Sequence, residues 1–224
     1  KSLFFFIKIE SLPSIKNINK NYVSKILFFG SHGFLTGFFS YINQQMDRVF
    51  FSFVYNPMQL GLFNFGLQNG FLINQSLLIP QKRLLSSYLI KIKNDLEFFK
   101  IKFFSISRFI IFMVFFFSFI FFLNAEIFIN VIFGSKWIEA LRFLKLFIIS
   151  GTISSLYFFT DPLLAVFGLP QIISKVKMYK FPILFISLST SYLLELKIYD
   201  TAIIFLIANV FVGFLQQIIS FKNV

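Results

Sequence analysis

The sequence predicts an all-α fold, a polytopic membrane helical bundle with about six transmembrane helices. Uncharged apolar runs recur along the chain, and two of them, 109–125 and 201–221, contain no charged residue. A run of roughly 18 or more apolar residues matches the ~30 Å hydrocarbon core of a bilayer. In addition, 57% of the residues are hydrophobic and only 13% are charged, whereas soluble domains carry about 25% charged residues. The apolar content is therefore interpreted as membrane content.

Six spans and two flanking segments follow from the alternation of apolar and charged stretches. The predicted spans are 26–46, 59–80, 109–125, 143–170, 178–194 and 201–221. Residues 1–25 are predicted to hold the cut end of a preceding span and a cytoplasmic linker, and residues 222–224 a cytoplasmic tail, so the chain is expected to lack an N-terminal part. Lys180, inside span five, is expected to snorkel to the interface, and the 81–102 connection to form an amphipathic cytoplasmic helix or linker.

The positions of the basic residues predict the orientation. Most basic residues fall on one predicted side of the membrane. Before span one lie Lys8, Lys16, Lys20 and Lys25, and between spans two and three lie Lys82, Arg83, Lys91, Lys93, Lys100, Lys102 and Arg108. Between spans four and five lie Lys175, Lys177 and Lys180, and Lys222 follows span six. The other side holds Arg48, Lys136, Arg142, Lys145 and Lys197. The positive-inside rule therefore places both ends of the chain in the cytoplasm. The net charge of +12 is attributed to topology, and no nucleic-acid partner is expected, because such binding needs one folded basic face.

The composition gives no reason to expect an enzyme. The chain has no Cys and one His, which argues against a disulfide, a thiolate metal site or a His-based metal cluster. We find no paired-carboxylate cleft, no Ser/His/Asp order and no Gly-rich nucleotide loop. We therefore predict a non-enzyme without a cofactor or a bound metal.

Ionisable residues inside spans are costly and are functional-site hypotheses by default. Asp161 lies in span four, beside Pro162, and is a candidate for proton or cation coupling. The alternative is an interfacial carboxylate. His32, between Gly30 and Gly33 in span one, is a second candidate because His titrates near neutral pH. The alternative is a neutral His bonded to a neighbouring helix.

A charged pair ends span one at the predicted outer face. Asp47 and Arg48 follow the polar residues 43–45, and an Arg side chain can bind a phosphate through two parallel hydrogen bonds. The alternative is that the pair anchors the helix at the interface.

Three stretches resemble polysaccharide (O-antigen type) flippases of the multidrug/oligosaccharidyl-lipid/polysaccharide exporter superfamily. They are 43–66 (NQQMDRVFFSFVYNPMQLGLFNFG), 127–147 (IFINVIFGSKWIEALRFLKLF) and 163–177 (LLAVFGLPQIISKVK), of which FGSKW at 133–137 is the most specific. Asp47, Gly61, Gly134 and Trp137 match positions of the family motifs. The chain departs at 62–64, where the family often shows a Tyr after the Gly, and it is unusually rich in Phe.

The resemblance implies a fold of two helical lobes around a central cavity, with this chain as the C-terminal lobe and the missing N-terminal lobe as its partner. It implies transport of an undecaprenyl-diphosphate-linked oligosaccharide across the bacterial inner membrane by alternating access, for O-antigen, lipopolysaccharide or other surface polysaccharide. It further implies coupling to H⁺ or Na⁺. Because the ligand's diphosphate is anionic, a cavity cation is needed, and Arg48 and Lys25 are the candidates.

Two other functions stay open at this point. A small-molecule or drug exporter of the same fold would favour an acidic, aromatic cavity, whereas the flippase favours a polar, cationic one. A membrane polysaccharide polymerase would need a large extracytoplasmic loop with Arg or His residues, and the predicted outer connections are short.

Overall fold

The computed structural model describes residues 20–223, with the side chains of a few positions left out. Within these residues every element is helical, which confirms the all-α prediction. The α-helices are α1 (Lys20–Val54), α2 (Pro57–Gly70), α3 (Leu72–Ile92), α4 (Leu96–Leu123), α5 (Ala125–Ile132), α6 (Leu141–Ser154), α7 (Thr160–Val166), α8 (Pro170–Leu193) and α9 (Ile198–Asn223). Short 3₁₀ helices, Ser135–Ala140 and Ser155–Tyr157, lie before and after α6.

These elements form six helical passes. Three described stretches are long and apolar enough to cross a membrane, namely Leu96–Leu123, Ser135–Val166 and Ile198–Lys222, and they contain most of predicted spans three, four and six. Predicted spans one, two and five fall on α1, on α2 with α3, and on α8. These helices carry more polar and charged residues. The chain is therefore a membrane helical bundle, and crossing by all six passes remains a prediction.

The structure corrects the predicted connection between spans two and three. The 81–102 segment is not a separate amphipathic helix, because α3 continues to Ile92 and α4 begins at Leu96. Asp95 caps α4 by accepting a hydrogen bond from the backbone N–H of Phe98 at 3.0 Å, as N-cap carboxylates commonly do. Leu85 and Leu89 of α3 pack with Phe99 of α4 in one buried cluster, so α3 and α4 form a helical hairpin.

Two glycines allow α2 and α6 to pack closely. A Cβ atom placed on Gly66 or Gly70 would lie closer than 3.0 Å to Phe143 or Phe147 of α6. The spacing of four residues puts both glycines on one face of α2, the arrangement that lets membrane helices approach backbone to backbone. Phe143 and Phe147 then reach Phe63, whose ring also stacks on Phe51 of α1 at 4.1 Å. This contact builds the largest buried aromatic cluster and fixes α1, α2 and α6 relative to one another.

Helices α8 and α9 add buried side chains to this cluster, among them Leu184 and Phe205. α1 packs along α8, α8 packs along α9, and α7 lies between α3 and α9. The hydroxyl of Tyr55, just after α1, donates to the carbonyl of Leu196 at 2.9 Å. The end of α1 therefore lies beside the connection between α8 and α9. The space enclosed by α1, α3, α7, α8 and α9 holds the charged residues described next.

The structure describes only part of the chain that the domain prediction divides. The proposed cut end of a preceding span falls in residues 1–19, outside the described residues. Helix α1 already begins at Lys20, earlier than the predicted start of span one.

Candidate functional site

A polar cavity of about 510 Å³ lies between the helices. Its walls come from α1, α2, α3, α6, α7, α8 and α9, together with residues 155–159 between α6 and α7. The charged side chains that line it are Asp47, Arg48, Lys82, Asp161, Lys177 and Lys180. Four are cationic and two are acidic, so the charged lining is positive overall. A fixed positive charge in a low-dielectric surrounding attracts anions far more strongly than the same charge in water.

Asp161 is the centre of the cavity's ion-pair network. Its Oδ2 atom lies 3.4 Å from Lys82 Nζ and 3.5 Å from Lys177 Nζ. Its Oδ1 atom accepts a hydrogen bond from the side-chain amide of Gln216. One carboxylate thus connects α3, α7, α8 and α9, and its charge is compensated by two lysines.

The local chain explains how Asp161 reaches the cavity. The helix that begins at Leu141 ends at Ser154, and a 3₁₀ turn and two further residues precede α7. Asp161 and Pro162 occupy the first turn of α7, where a proline removes no intrahelical hydrogen bond. The predicted break beside Asp161 is therefore present, but it lies before Pro162. The carboxylate is partly buried and lines the cavity inside the bundle.

Asp47 and Arg48 also line the cavity, which corrects their predicted location. Helix α1 continues to Val54, so the pair lies inside the helix and does not end it. Asp47 is 5% exposed, and its Oδ1 atom accepts from the backbone N–H of Arg48 at 2.8 Å. The reason for the error is that the end of span one was placed at the first charge, whereas a charge facing an internal cavity can remain within a span.

Lys180 is a second correction. The predicted snorkelling to the interface is wrong, because Lys180 lines the same cavity as Asp47 and Arg48. Helix α8 begins at Pro170, so Lys180 lies near its middle. Neither Arg48 nor Lys180 has an ion pair within 4.0 Å in the described part of the chain. Both side chains interact electrostatically with Asp47 without forming an ion pair with it.

The other two candidates from the sequence are not joined to this network. His32 is absent from the cavity lining. Its Nδ1 lies 2.9 Å from Ser174 Oγ and its ring meets the edge of Phe28 at 4.6 Å. This geometry matches the alternative of a His bonded to a neighbouring helix, here α8. Lys25 lies in α1, and its side chain falls outside the described residues.

The family-motif residues have different surroundings. Trp137 stacks on Phe65 at 4.7 Å and so packs the 3₁₀ helix Ser135–Ala140 onto α2. Gly134 has φ +85°, a conformation that strongly favours glycine. A Cβ atom on Gly61 would meet nothing within 4 Å, and the same is true of Gly30 and Gly33.

Several site residues were missed because each looked like part of a connection or of an apolar span. Lys82 and Lys177 were assigned to cytoplasmic connections, and Gln216 to the apolar span six. Asn43 was also missed: its amide donates to the carbonyl of Lys177 at 2.9 Å, while its buried Oδ1 has no hydrogen-bond partner among the described residues. The available signal was the carboxylate of Asp161 itself, since a carboxylate within a span commonly pairs with other charged groups.

The comparisons with known proteins give one match. Residues 2–142 match the model of a family described as polysaccharide biosynthesis protein. No significant match was found among curated proteins or solved structures. The matched segment carries Asp47, Arg48 and Lys82, while Asp161, Lys177 and Lys180 lie beyond it. Because the match covers well over half of the 224 residues, and the chain is an all-α membrane bundle around a polar cavity, it belongs to the polysaccharide biosynthesis protein family.

Proposed function

We propose that this chain is one lobe of a flippase that moves a lipid-linked oligosaccharide across the bacterial inner membrane by alternating access. The chain would supply the C-terminal lobe, with both ends cytoplasmic, and an N-terminal lobe would complete the cavity. The ligand would be an oligosaccharide on undecaprenyl diphosphate. The family places the chain in polysaccharide biosynthesis, and the observation that carries the transport step is the cationic cavity between the helices.

The charge balance of the cavity fits a diphosphate ligand. Asp161 already neutralises part of the charge of Lys82 and Lys177, which lie 3.4 and 3.5 Å from it. Arg48 and Lys180 have no ion pair of this kind, so they are the cations available to an incoming anion. A guanidinium group can donate two parallel hydrogen bonds to phosphate oxygens, and Lys180 adds a mobile point charge.

The rest of the cavity fits the oligosaccharide. Amide and hydroxyl side chains line it beside the charges, among them Gln44, Gln68, Gln75 and Asn209. Such groups exchange hydrogen bonds with sugar hydroxyls, whereas a purely apolar wall would not. The positive lining disfavours the alternative of a cationic drug exporter.

The polymerase alternative lacks a loop that could hold its active site. The predicted outer connections within residues 20–223 are 55–56, 124–140 and 194–197. The longest of them is occupied by α5 and a 3₁₀ helix that pack on Phe65 and Leu144. We therefore propose a transporter without catalytic residues.

Coupling to H⁺ or Na⁺ would act through Asp161. A proton or a sodium ion has to compete with Lys82 and Lys177 for the carboxylate. Protonation of Asp161 would release both lysines, and the released charge would strengthen anion binding. His32, which lies outside the cavity, would affect coupling only through the α1–α8 contact.

The test compares two double variants of the complete protein in cells that depend on it for surface polysaccharide. Arg48→Gln/Lys180→Gln removes the two available cations. Lys91→Gln/Lys100→Gln removes the same charge from exposed positions outside the cavity. We expect the first to lower surface polysaccharide at least tenfold, with the lipid-linked precursor accumulating, and the second to have no effect. Normal polysaccharide in the first variant at normal protein level would refute the proposal.

A further inference from the structure

A second, smaller cavity lies on the other side of the wall that carries Asp161. It has a volume of about 110 Å³ and is bounded by α4, α7 and α9, together with residues just before α7. Helix α4 contributes one face to it, comprising Phe103, Phe104, Ser107, Arg108 and Ile111. Helix α9 contributes Gln217, Ser220 and Phe221. We call this cavity the α4–α9 groove.

Two polar groups in the groove are unused by the protein. Ser107 is 7% exposed, and its hydroxyl has no hydrogen-bond partner among the described residues. Arg108 is exposed and has no ion pair within 4.0 Å in residues 20–223. A buried hydroxyl without a partner is destabilising, because it has lost its hydrogen bonds to water. A ligand with acceptor oxygens would satisfy both the hydroxyl and the guanidinium.

The groove faces lipid and not the polar cavity. Helix α4 is long and apolar enough to cross a membrane, and its side chains Phe109, Phe112 and Phe119 are more than 60% exposed. Acyl chains are the surroundings that such a surface requires. A water-soluble anion would therefore have to cross apolar surroundings to reach the groove, whereas a lipid reaches it by lateral diffusion.

The predicted topology places the groove near the headgroups of the leaflet that faces the cytoplasm. Phe104 stacks on Phe221 at 6.1 Å, and Lys222 follows directly at the end of α9. Lys102 precedes Phe104 on α4. Arg108 lies one helical turn further in, about 6 Å along the axis, a distance its long side chain can span by snorkelling. The groove thus has cations at its mouth and apolar walls inside.

We propose that the α4–α9 groove binds an anionic phospholipid of the leaflet that the charge pattern predicts to be cytoplasmic. Arg108 and the hydroxyl of Ser107 donate hydrogen bonds to the phosphate oxygens, and an acyl chain lies along Phe104 and Ile111. Lys102 and Lys222 favour a lipid with a net negative charge over a zwitterionic one. The site does not depend on the transport proposal.

The position of the groove gives the lipid a structural effect. Thr160 and Gln217 line the groove, and they are the sequence neighbours of Asp161 and Gln216, which meet in the polar cavity. A lipid bound in the groove contacts the side of this wall that faces away from the polar cavity. We therefore expect the bound lipid to raise the thermal stability of the bundle.

The experiment is native mass spectrometry and thermal unfolding of the complete protein in detergent, with phosphatidylglycerol, phosphatidylcholine or inorganic phosphate added. We expect retention of phosphatidylglycerol and a rise in Tm with that lipid only. Arg108→Gln should weaken phosphatidylglycerol binding about tenfold and Ser107→Ala about threefold, while Arg108→Lys should keep part of it. Lys136→Gln, an exposed cation at a predicted outer connection, is the matched control.

Three results would overturn the site. Equal retention of phosphatidylglycerol in Arg108→Gln and the unchanged protein would remove Arg108 from it. Binding of phosphatidylcholine as tight as that of phosphatidylglycerol would show that the headgroup charge is not recognised. A rise in Tm with inorganic phosphate as large as with the lipid would show an anion site without a lipid.

Discussion

Replacing Asp161 by Asn tests whether its carboxylate holds the bundle together. The substitution keeps the size of the side chain and a hydrogen-bond acceptor, but it removes the charge that faces Lys82 at 3.4 Å and Lys177 at 3.5 Å. At an effective dielectric constant of about 20, each such pair has a Coulomb energy of about 5 kcal/mol. The desolvation of three charged groups offsets most of this energy.

The exposure of the side chains sets the size of the net effect. Asp161 and Lys177 are each 21% exposed, and Lys82 is 43% exposed, so solvent screens the Lys82 pair more. Breaking one side of a fully buried pair costs about 3–5 kcal/mol, and an exposed pair is worth about 0–1 kcal/mol. We therefore expect Asp161→Asn to lower the free energy of unfolding by about 2–3 kcal/mol, because two lysines are left facing each other without the carboxylate.

The assay is thermal unfolding in detergent, read as the loss of the monodisperse peak in size-exclusion chromatography. Asp161→Asn should lower Tm by roughly 5 °C or more. Lys177→Gln should cost less in the Asp161→Asn background than alone, with a coupling of about 1–2 kcal/mol. Lys145→Gln, whose Nζ lies over the ring of Phe122 and away from the network, should be additive with Asp161→Asn. An unchanged Tm for Asp161→Asn, or additivity with Lys177→Gln, would refute the reasoning.

Two further predictions concern packing and topology. Gly70→Ala should lower the free energy of unfolding by about 1–3 kcal/mol, because its new methyl group would collide with Phe147 in a close-packed contact. The control Gly61→Ala should be neutral, because a methyl group there points into open space. Equal Tm values for the two variants would contradict the α2–α6 contact. Because the chain has no native Cys, single cysteines can report orientation: a Cys at Ser135 should react with a membrane-impermeant maleimide added to the periplasmic side and a Cys at Asn94 should not. The reverse labelling would invert the topology.

The helical class could be predicted from the sequence because apolar length and charge spacing report the bilayer directly. The uncharged run 201–221 located α9 to within about three residues, whereas the run 109–125 located only the second half of α4, which begins at Leu96. Span one was placed less accurately, because Asp47 and Arg48 look like an interfacial boundary when the cavity is unknown. The same reasoning assigned Lys180 to the lipid interface, whereas its side chain lines the cavity inside the bundle.

The site itself could be predicted only in part. Asp161 was identified because a carboxylate within a span needs an explanation. Its partners could not be identified, since Lys82 is 79 positions away in the chain and looked like a topological charge. The tight glycines were also missed. Gly66 and Gly70 have the spacing of a helix-packing motif, but only the position of Phe143 and Phe147 shows that these two glycines, and not Gly61, meet another helix.

The most direct test of the account is to measure flipping in liposomes that contain the complete protein. The substrate is a fluorescent oligosaccharide linked to undecaprenyl diphosphate, and the signal is its transfer between leaflets. We predict transfer well above that in protein-free liposomes, at least tenfold slower transfer for Arg48→Gln/Lys180→Gln, and an unchanged rate for Lys91→Gln/Lys100→Gln. Equal rates for both double variants, or transfer no faster than in protein-free liposomes, would contradict the cationic cavity as the path of the lipid-linked oligosaccharide.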